Sequence, residues 1–286
     1  MKKPPSILVL ADLRRPRVAE AVAEVRRFLM GRAEVRVRDL CKGREERRVS
    51  AAFAVTLGGD GAILAAGRRL AASRIPILGV NLGKLGFLTE IGRPELEAAL
   101  GTLLLRPPRV VERMMLQTEV RRRGRIVRRC TAVNDVVISR AELSRIVEIT
   151  LYLDGRKVNT FTGDGLICAT PIGSTAHSLS AGGPILAPDT RAVVITPICP
   201  HTLSNRPLVV DEDTVVEVRA SAQDGACALT ADGQVLVTLQ KNDRIRVRKC
   251  ARPLRLIKAT KRSFFETLHT KLRWEGSVSH AWCNVS

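Results

Sequence analysis

Aromatic residues are scarce in this chain of 286 residues: two Trp, one Tyr and six Phe make up 3% of it. Proteins that hold single-stranded nucleic acid stack bases on such rings, so that function is poorly served. No stretch approaches the roughly eighteen consecutive apolar residues of a membrane helix. Met1-Lys2-Lys3-Pro4-Pro5 leads into neither the apolar core nor the small-residue cleavage site of a secretory signal. A soluble, cytoplasmic protein is expected. The seven cysteines, Cys41, Cys130, Cys168, Cys199, Cys227, Cys250 and Cys283, contain no Cys-x-x-Cys pair. An odd, scattered set fits reduced thiols better than a disulfide framework or a zinc site. Cys168 and Cys199 lie in apolar runs and are expected in the core. Two nucleotide fingerprints are also missing. Gly83-Lys84 is followed by Leu85 where a Walker loop needs a hydroxyl, and Gly163-Asp164-Gly165 does not continue into a dinucleotide glycine motif. A standard P-loop ATPase and a Rossmann dehydrogenase are thereby excluded.

Acidic residues are in deficit, 28 against 47 basic ones, for a formal net charge of +19. Such a surface gathers anions, whether phosphorylated substrates, nucleic acid or an acidic membrane. The densest basic stretch, Arg121-Arg122-Arg123-Gly124-Arg125 with Arg128 and Arg129, reads as a solvated hairpin turning at Arg123-Gly124.

A hydrophobic content of 45% over this length supports sizeable cores, and two domains are expected. Ser6 to Leu10 is a continuous apolar run of the kind that forms a strand covered on both faces. Pro16 opens a helix with Val18, Val22, Val25 and Leu29 at helical spacing, and Gly31 closes it. Strands follow at Ala33 to Val37, Ala52 to Leu57 and Ile75 to Val80, alternating with helices at Ala62 to Ala72 and Pro94 to Leu105. This alternation predicts an α/β domain with a largely parallel sheet over residues 1–104. From about Leu104 the apolar period falls to two, at 116–120, 147–153, 214–219 and 244–247. Asp154-Gly155 and Asp232-Gly233 are two-residue hairpin signals. Residues 105–258 therefore read as a β-rich, sandwich-like domain. After Lys258 the pattern is helical again, with Phe264, Phe265, Leu268 and Leu272 on one side.

Two loops carry the chemistry. Gly58-Gly59-Asp60-Gly61 lies between a buried strand and a helix, where bare backbone amides and the helix N-terminus favour phosphate. A carboxylate there is costly unless it works on a proton or a metal ion, or simply caps the helix. The second loop follows the apolar run Leu166 to Ala169 and crowds Gly173, Ser174, Thr175, Ser178, Ser180, Gly182 and Gly183 into residues 173–183. Small residues let a ligand approach the backbone, and the hydroxyls offer uncharged hydrogen bonds. Together these features point to phosphoryl transfer onto a hydroxyl, with Asp60 as the base.

The run from Asp164-Gly165 through Ala169-Thr170-Pro171-Ile172-Gly173-Ser174-Thr175-Ala176-His177-Ser178-Leu179-Ser180-Ala181-Gly182-Gly183-Pro184 resembles the signature of the bacterial NAD kinases. So do the Gly58–Gly61 loop, Asn81 to Leu88, Asn134-Asp135 and Pro200 to Leu203, in the family's order along nearly the whole chain. The resemblance implies a kinase that takes ATP or polyphosphate, with Mg²⁺ or another divalent cation, and phosphorylates the 2′-hydroxyl of the adenosine ribose of NAD. It implies donor binding at Gly58, Gly59 and Gly61, and adenosine contacts at Asn134 and Asp135. Thr175, Ala176 and His177 would line the ring site, with Ser178 and Ser180 in the same motif. Asp164 would face the nicotinamide end, while Arg145, Gln234 and His201 are further carry-overs. His177 stands where the family typically carries tyrosine. The resemblance also implies that 259–286 packs back on the first domain, and that the protein is a homo-oligomer in which β domains pair. A lipid kinase of related fold, or a nucleic-acid-binding protein, is the alternative. Against the lipid kinase stands the 162–188 motif, which implies a dinucleotide ring site. Against the nucleic-acid binder stand Asp60 and Asp164 in glycine loops, where a phosphate-binding surface avoids negative charge, so no membrane or nucleic-acid partner is expected.

Overall fold

The computed structural model describes residues 4–42, 49–83, 86–141, 146–202, 204–222 and 227–273. Its first sheet runs in the order Glu34–Asp39, Ser6–Ala11, Phe53–Leu57, Ile77–Asn81, Leu254–Ile257, Val110–Arg113, with Ile91–Gly92 pairing the end of Ile77–Asn81. Every pairing is parallel except that of the last two strands in this order. Phe53–Leu57 and Ile77–Asn81 are buried along their whole length, as strands of a parallel sheet covered on both faces must be.

Helices Pro16–Leu29 and Leu96–Leu105 cover one face, setting Val18, Val22, Val25, Leu96 and Leu100 against Val9, Val55 and Leu78. Helix Asp60–Leu70 covers the other with Ile63, Leu64 and Leu70 against Leu8, Ala54 and Ile77. The same cluster takes in Met115, Val133 and Ile172. This helix is therefore wedged between the parallel sheet and the β-rich region, and both fix where its first residue points.

Two six-stranded antiparallel sheets follow. One is ordered Arg156–Gly163, Val147–Leu153, Val216–Ala222, Arg244–Lys249, Leu116–Arg122, Arg125–Ala132. The other is ordered Leu208–Asp211, Ala192–Ile198, Gly165–Ala169, Asp135–Arg140, Cys227–Ala231, Val235–Leu239. They share one core, in which Val120, Ile149, Val218 and Ile245 meet Val136, Ile138, Leu166 and Leu229. This is the expected sandwich. Truncating one of these side chains to alanine costs about 2–5 kcal/mol. Arg123-Gly124 and Asp154-Gly155 close two-residue hairpins with positive φ at both residues, as right-twisted strands require, while Asp232-Gly233, also at positive φ, sits in a three-residue loop between Ala231 and Val235.

The final helix, Phe264–Leu272, opens on a capping box: Glu266 N–H donates to Ser263 Oγ, and Ser263 N–H to Glu266 Oε2. Leu268 is buried and the Phe264 ring lies 6.3 Å from that of Phe87, so the helix returns to the loop beyond Ile77–Asn81. Phe265, expected on the apolar side, is 68% exposed. Cys168 is buried, but Cys199 is exposed: strand Ala192–Ile198 ends before it, and its φ of 43° turns it out of the sheet. Among the described residues no helix is long and apolar enough to cross a membrane.

Candidate active site

Strand Phe53–Leu57 delivers the glycine loop to the carboxyl edge of the parallel sheet, where open α/β folds bind ligands. Gly58 has φ of +146°, a conformation other residues rarely adopt, and its N–H donates to Val80 O at 3.0 Å. Gly59 occupies the N-cap position and Asp60 is the first helical residue, with no capping bond. The plain reading of Asp60 as a cap is thereby overturned. Its carboxylate reaches across the sheet edge instead. Phe87 N–H donates to Oδ2 at 2.8 Å, and Leu88 and Thr89 N–H donate to Oδ1 at 3.0 and 3.2 Å. A carboxylate has about four acceptor positions. Three are filled, leaving about one, on Oδ2, for a substrate proton.

The opposing wall comes from the β-rich region and is organised by Asp232, a residue that sequence reasoning treated only as a turn. Its side chain is wholly buried and forms an ion pair with Arg68 of helix Asp60–Leu70. It also accepts N–H bonds from Val133 at 3.0 Å, Asn134 at 2.7 Å and Asp135 at 3.2 Å. Gln234 continues the bridge: its Nε2 donates to Gly61 O at 2.9 Å, and its Oε1 accepts from Arg68. One bonded network thus runs from the glycine loop to the Asn134-Asp135 segment. Asp135 is buried, and that burial, with the charge of Asp232 second, pushes its carboxyl up to about 7.

Asn134 in turn seats the small-residue loop. Thr170 N–H donates to Asn134 O at 2.8 Å, and Thr170 Oγ1 to Val133 O at 2.7 Å. A side chain at Gly173 would overlap the Asn134 carbonyl, so only glycine allows this approach. The hydroxyls expected to face a ligand divide into two groups. Ser174 is fully buried and accepts Leu186 N–H at 2.9 Å. Ser178 is fully buried too, bonded to Thr196 Oγ1 at 2.8 Å. Both hold the loop together from within. Thr175 and Ala176 are partly exposed, and His177 and Ser180 are exposed.

Asp164 lies elsewhere. It precedes strand Gly165–Ala169 whereas Thr170 follows it, so roughly 20 Å of extended chain separates the two. There Arg140 Nη2 donates to Asp164 Oδ2 at 3.2 Å, and exposed His201 donates its N–H to Thr162 O at 3.0 Å. Arg140, Arg68 and Asp232 were not expected from the sequence. Arg145 lies outside the described residues.

A magnesium ion normally takes one or two carboxylates, with phosphate and water oxygens completing its shell. The one open position of the Asp60 carboxylate is the one left for the substrate proton, so the loop fits an ion carried by donor phosphates and water. Among the described residues the one group of three acidic or thiol side chains is Asp12, Asp39 and Cys41. Arg14 already occupies Asp12, holding its carboxyl far below the usual range.

Comparison with known proteins agrees with this geometry. The family models described as the ATP-NAD kinase N-terminal and C-terminal domains match residues 15–106 and 133–259. An NAD kinase of Syntrophotalea carbinolica is 46% identical over 220 residues, 77% of each chain. One of Geobacter sulfurreducens is 46% identical over 226 residues, 79% of this chain and 80% of that one. Among solved structures, an NAD kinase from Archaeoglobus fulgidus in complex with ATP superposes with a TM-score of 0.74. It is 26% identical, over 95% of this chain and 100% of that one. Yeast NADH kinase complexed with NADH has a TM-score of 0.84 at 23% identity, over 98% and 91%, which shows a shared fold.

Proposed function

The chain belongs to the NAD kinase family, and from that premise we propose how its residues carry out the phosphorylation of NAD by ATP. The protein is an NAD kinase; its product is NADP, phosphorylated on the 2′-hydroxyl of the adenosine ribose. The observation that carries the assignment of roles is the bonded bridge Gly61–Gln234–Arg68–Asp232–Asn134, which ties the Asp60 loop to the adenosine wall.

In this reading Asn134, Asp135, Thr175, Ala176 and His177 hold the adenosine so that its 2′-oxygen meets Asp60. The amides of Gly58, Gly59 and Gly61, at the positive end of helix Asp60–Leu70, cradle the donor phosphates. As the 2′-oxygen bonds to the terminal phosphorus and the bond to the departing ADP oxygen breaks, the hydroxyl proton passes to Asp60 Oδ2. Asp135, near neutral pH, can donate a hydrogen bond as well as accept one. A divalent cation, when bound, would neutralise charge on the donor phosphates. Polyphosphate as an alternative donor belongs to the same proposal.

The placement of Asp164 favours a homo-oligomer. Lying at the far end of its strand, it serves the nicotinamide end most simply when a neighbouring subunit closes the site with it. We assign residues 1–104, completed by 259–286, to donor binding and 105–258 to NAD binding, with the strands Val110–Arg113 and Leu254–Ile257 near the two ends of that span paired into the first sheet. Scattered cysteines without a Cys-x-x-Cys pair accord with a cytoplasmic location. A coupled assay crossing ATP and polyphosphate with NAD and NADH tests these roles. Formation of NADP from NAD and Mg·ATP is expected, and failure of every combination would refute them.

A further inference from the structure

The segment Phe87–Glu90 immobilises Asp60, which raises the question of what immobilises the segment. It is not packed solid on every side: Phe87, Leu88, Thr89 and Glu90 line a cavity of about 170 Å³ that extends to Phe264 and Thr267 of the last helix. Its position therefore rests on a few specific contacts. Thr89 is tied back to its own loop, accepting Gly86 N–H at 2.8 Å. The Phe87 ring is tilted against that of Phe264, 6.3 Å between centroids, and Leu88 is buried in the cluster that holds Ile63 and Met115.

Glu90 adds the polar anchor at the end of the segment. It is 7% exposed, and its backbone N–H donates to Gly79 O at 2.9 Å. Its carboxylate receives four bonds: Lys258 Nζ at 2.7 Å, Ala259 N–H at 3.1 Å, Thr260 N–H at 2.8 Å and Thr260 Oγ1 at 2.7 Å. All four donors sit on the linker between strand Leu254–Ile257 and helix Phe264–Leu272. Three of these bonds fall on Oε1 and one on Oε2, so both oxygens are engaged. One residue further along the chain from Thr89, whose N–H holds Asp60, Glu90 is thus bolted to the returning end of the protein.

We propose that Glu90 is a positioning residue for Asp60: through the Lys258–Thr260 linker it fixes the three amides that aim the general base. The inference rests on the assignment of Asp60 as base. A shift of about 1 Å at a reacting group lowers rates by up to 100-fold without altering substrate contacts elsewhere. Glu90→Gln replaces an acceptor oxygen by an NH₂ group while keeping the shape, and Thr260→Val removes one donor from the other side at nearly constant volume.

The test is a double-mutant cycle on turnover, with amide exchange of Phe87, Leu88 and Thr89 as a second readout. Glu90→Gln should lower kcat roughly 10- to 100-fold with KM for NAD within about twofold, and Thr260→Val should do the same more weakly. In an Asp60→Asn background the further loss from Glu90→Gln should shrink below about threefold, because both act through one group. The three amides should exchange faster in Glu90→Gln. Unchanged kcat in Glu90→Gln, or an equal fold loss with and without Asp60, would overturn the proposal. If Asp60→Asn alone kept normal turnover, the general-base assignment would fall. Glu90 would then be judged on exchange, and slow exchange retained in Glu90→Gln would overturn its role in holding the segment.

Discussion

Replacing Asp135 by asparagine should stabilise the protein at neutral and alkaline pH and do nothing at pH 3.5. The carboxyl is 4% exposed, and burial first, then the Asp232 charge, raises its pKa from 3.8 to about 7. Between those values the folded protein keeps a proton that the unfolded chain has released, so stability falls as pH rises. The contribution is fully present below about pH 4, declines by about 1.4 kcal/mol per pH unit, and levels off above about pH 7. Over this span of roughly three units the loss is up to about 4 kcal/mol, or on the order of 10 °C in Tm for a chain of this size. Asparagine resembles the protonated acid and does not titrate, so it escapes that loss. Thermal melts of both proteins at pH 3.5, 5, 7 and 8.5 would read the effect. The gap in Tm should be near zero at pH 3.5, open through pH 5 and 7, and stay constant beyond. A gap of the same size at every pH would refute the reasoning, because it would mean that Asp135 does not titrate in this window.

Other consequences follow from the same bridge. Arg68→Met leaves the buried Asp232 carboxylate without its cation and should cost about 3–5 kcal/mol, read as a lower urea midpoint with an unchanged m-value. Gly173→Ala forces a methyl group into the Asn134 carbonyl, and should raise KM for NAD or abolish soluble expression; a normal KM would place that contact outside the site. His177 is exposed on helix His177–Ser180, so His177→Ala should weaken NAD binding by about 1–2 kcal/mol through loss of one ring contact, while His177→Tyr should keep or improve it. Titration calorimetry would separate these outcomes.

The fold was legible where a local rule governs it. The pairs Arg123-Gly124, Asp154-Gly155 and Asp232-Gly233 turn because that chemistry suits positive φ, and the helix at Pro16 starts where proline is tolerated. Leu254–Ile257 and Val110–Arg113 were read into the β-rich span 105–258, because a short apolar strand reads alike in either kind of sheet; pairing with Ile77–Asn81 and with each other puts both in the first sheet. At the site, Gly58–Gly61 was visible as an anomaly, bare and acidic between a buried strand and a helix, whereas Asn134-Asp135 came only from the family resemblance. The hydroxyls of Ser174 and Ser178 bond within the fold, which the sequence did not reveal, since a serine looks the same whether it bonds a ligand or its own loop. The Arg68–Asp232 pair, 164 residues apart, could not be seen at all: a helix arginine and a turn aspartate are each ordinary alone.

The central claim is that the Asp60 carboxylate takes the proton of the ribose hydroxyl. The most direct measurement is kcat and KM of Asp60→Asn with NAD and Mg·ATP, beside the melting temperature of the same sample. Three amides bond Asp60, so a modest fall in stability of about 1–3 kcal/mol is expected whatever its chemical role. A base lost from the transition state should lower kcat roughly 10²- to 10⁴-fold, with KM for NAD changed little. A folded Asp60→Asn enzyme with near-normal kcat would contradict the account and reduce Asp60 to an anchor for its loop.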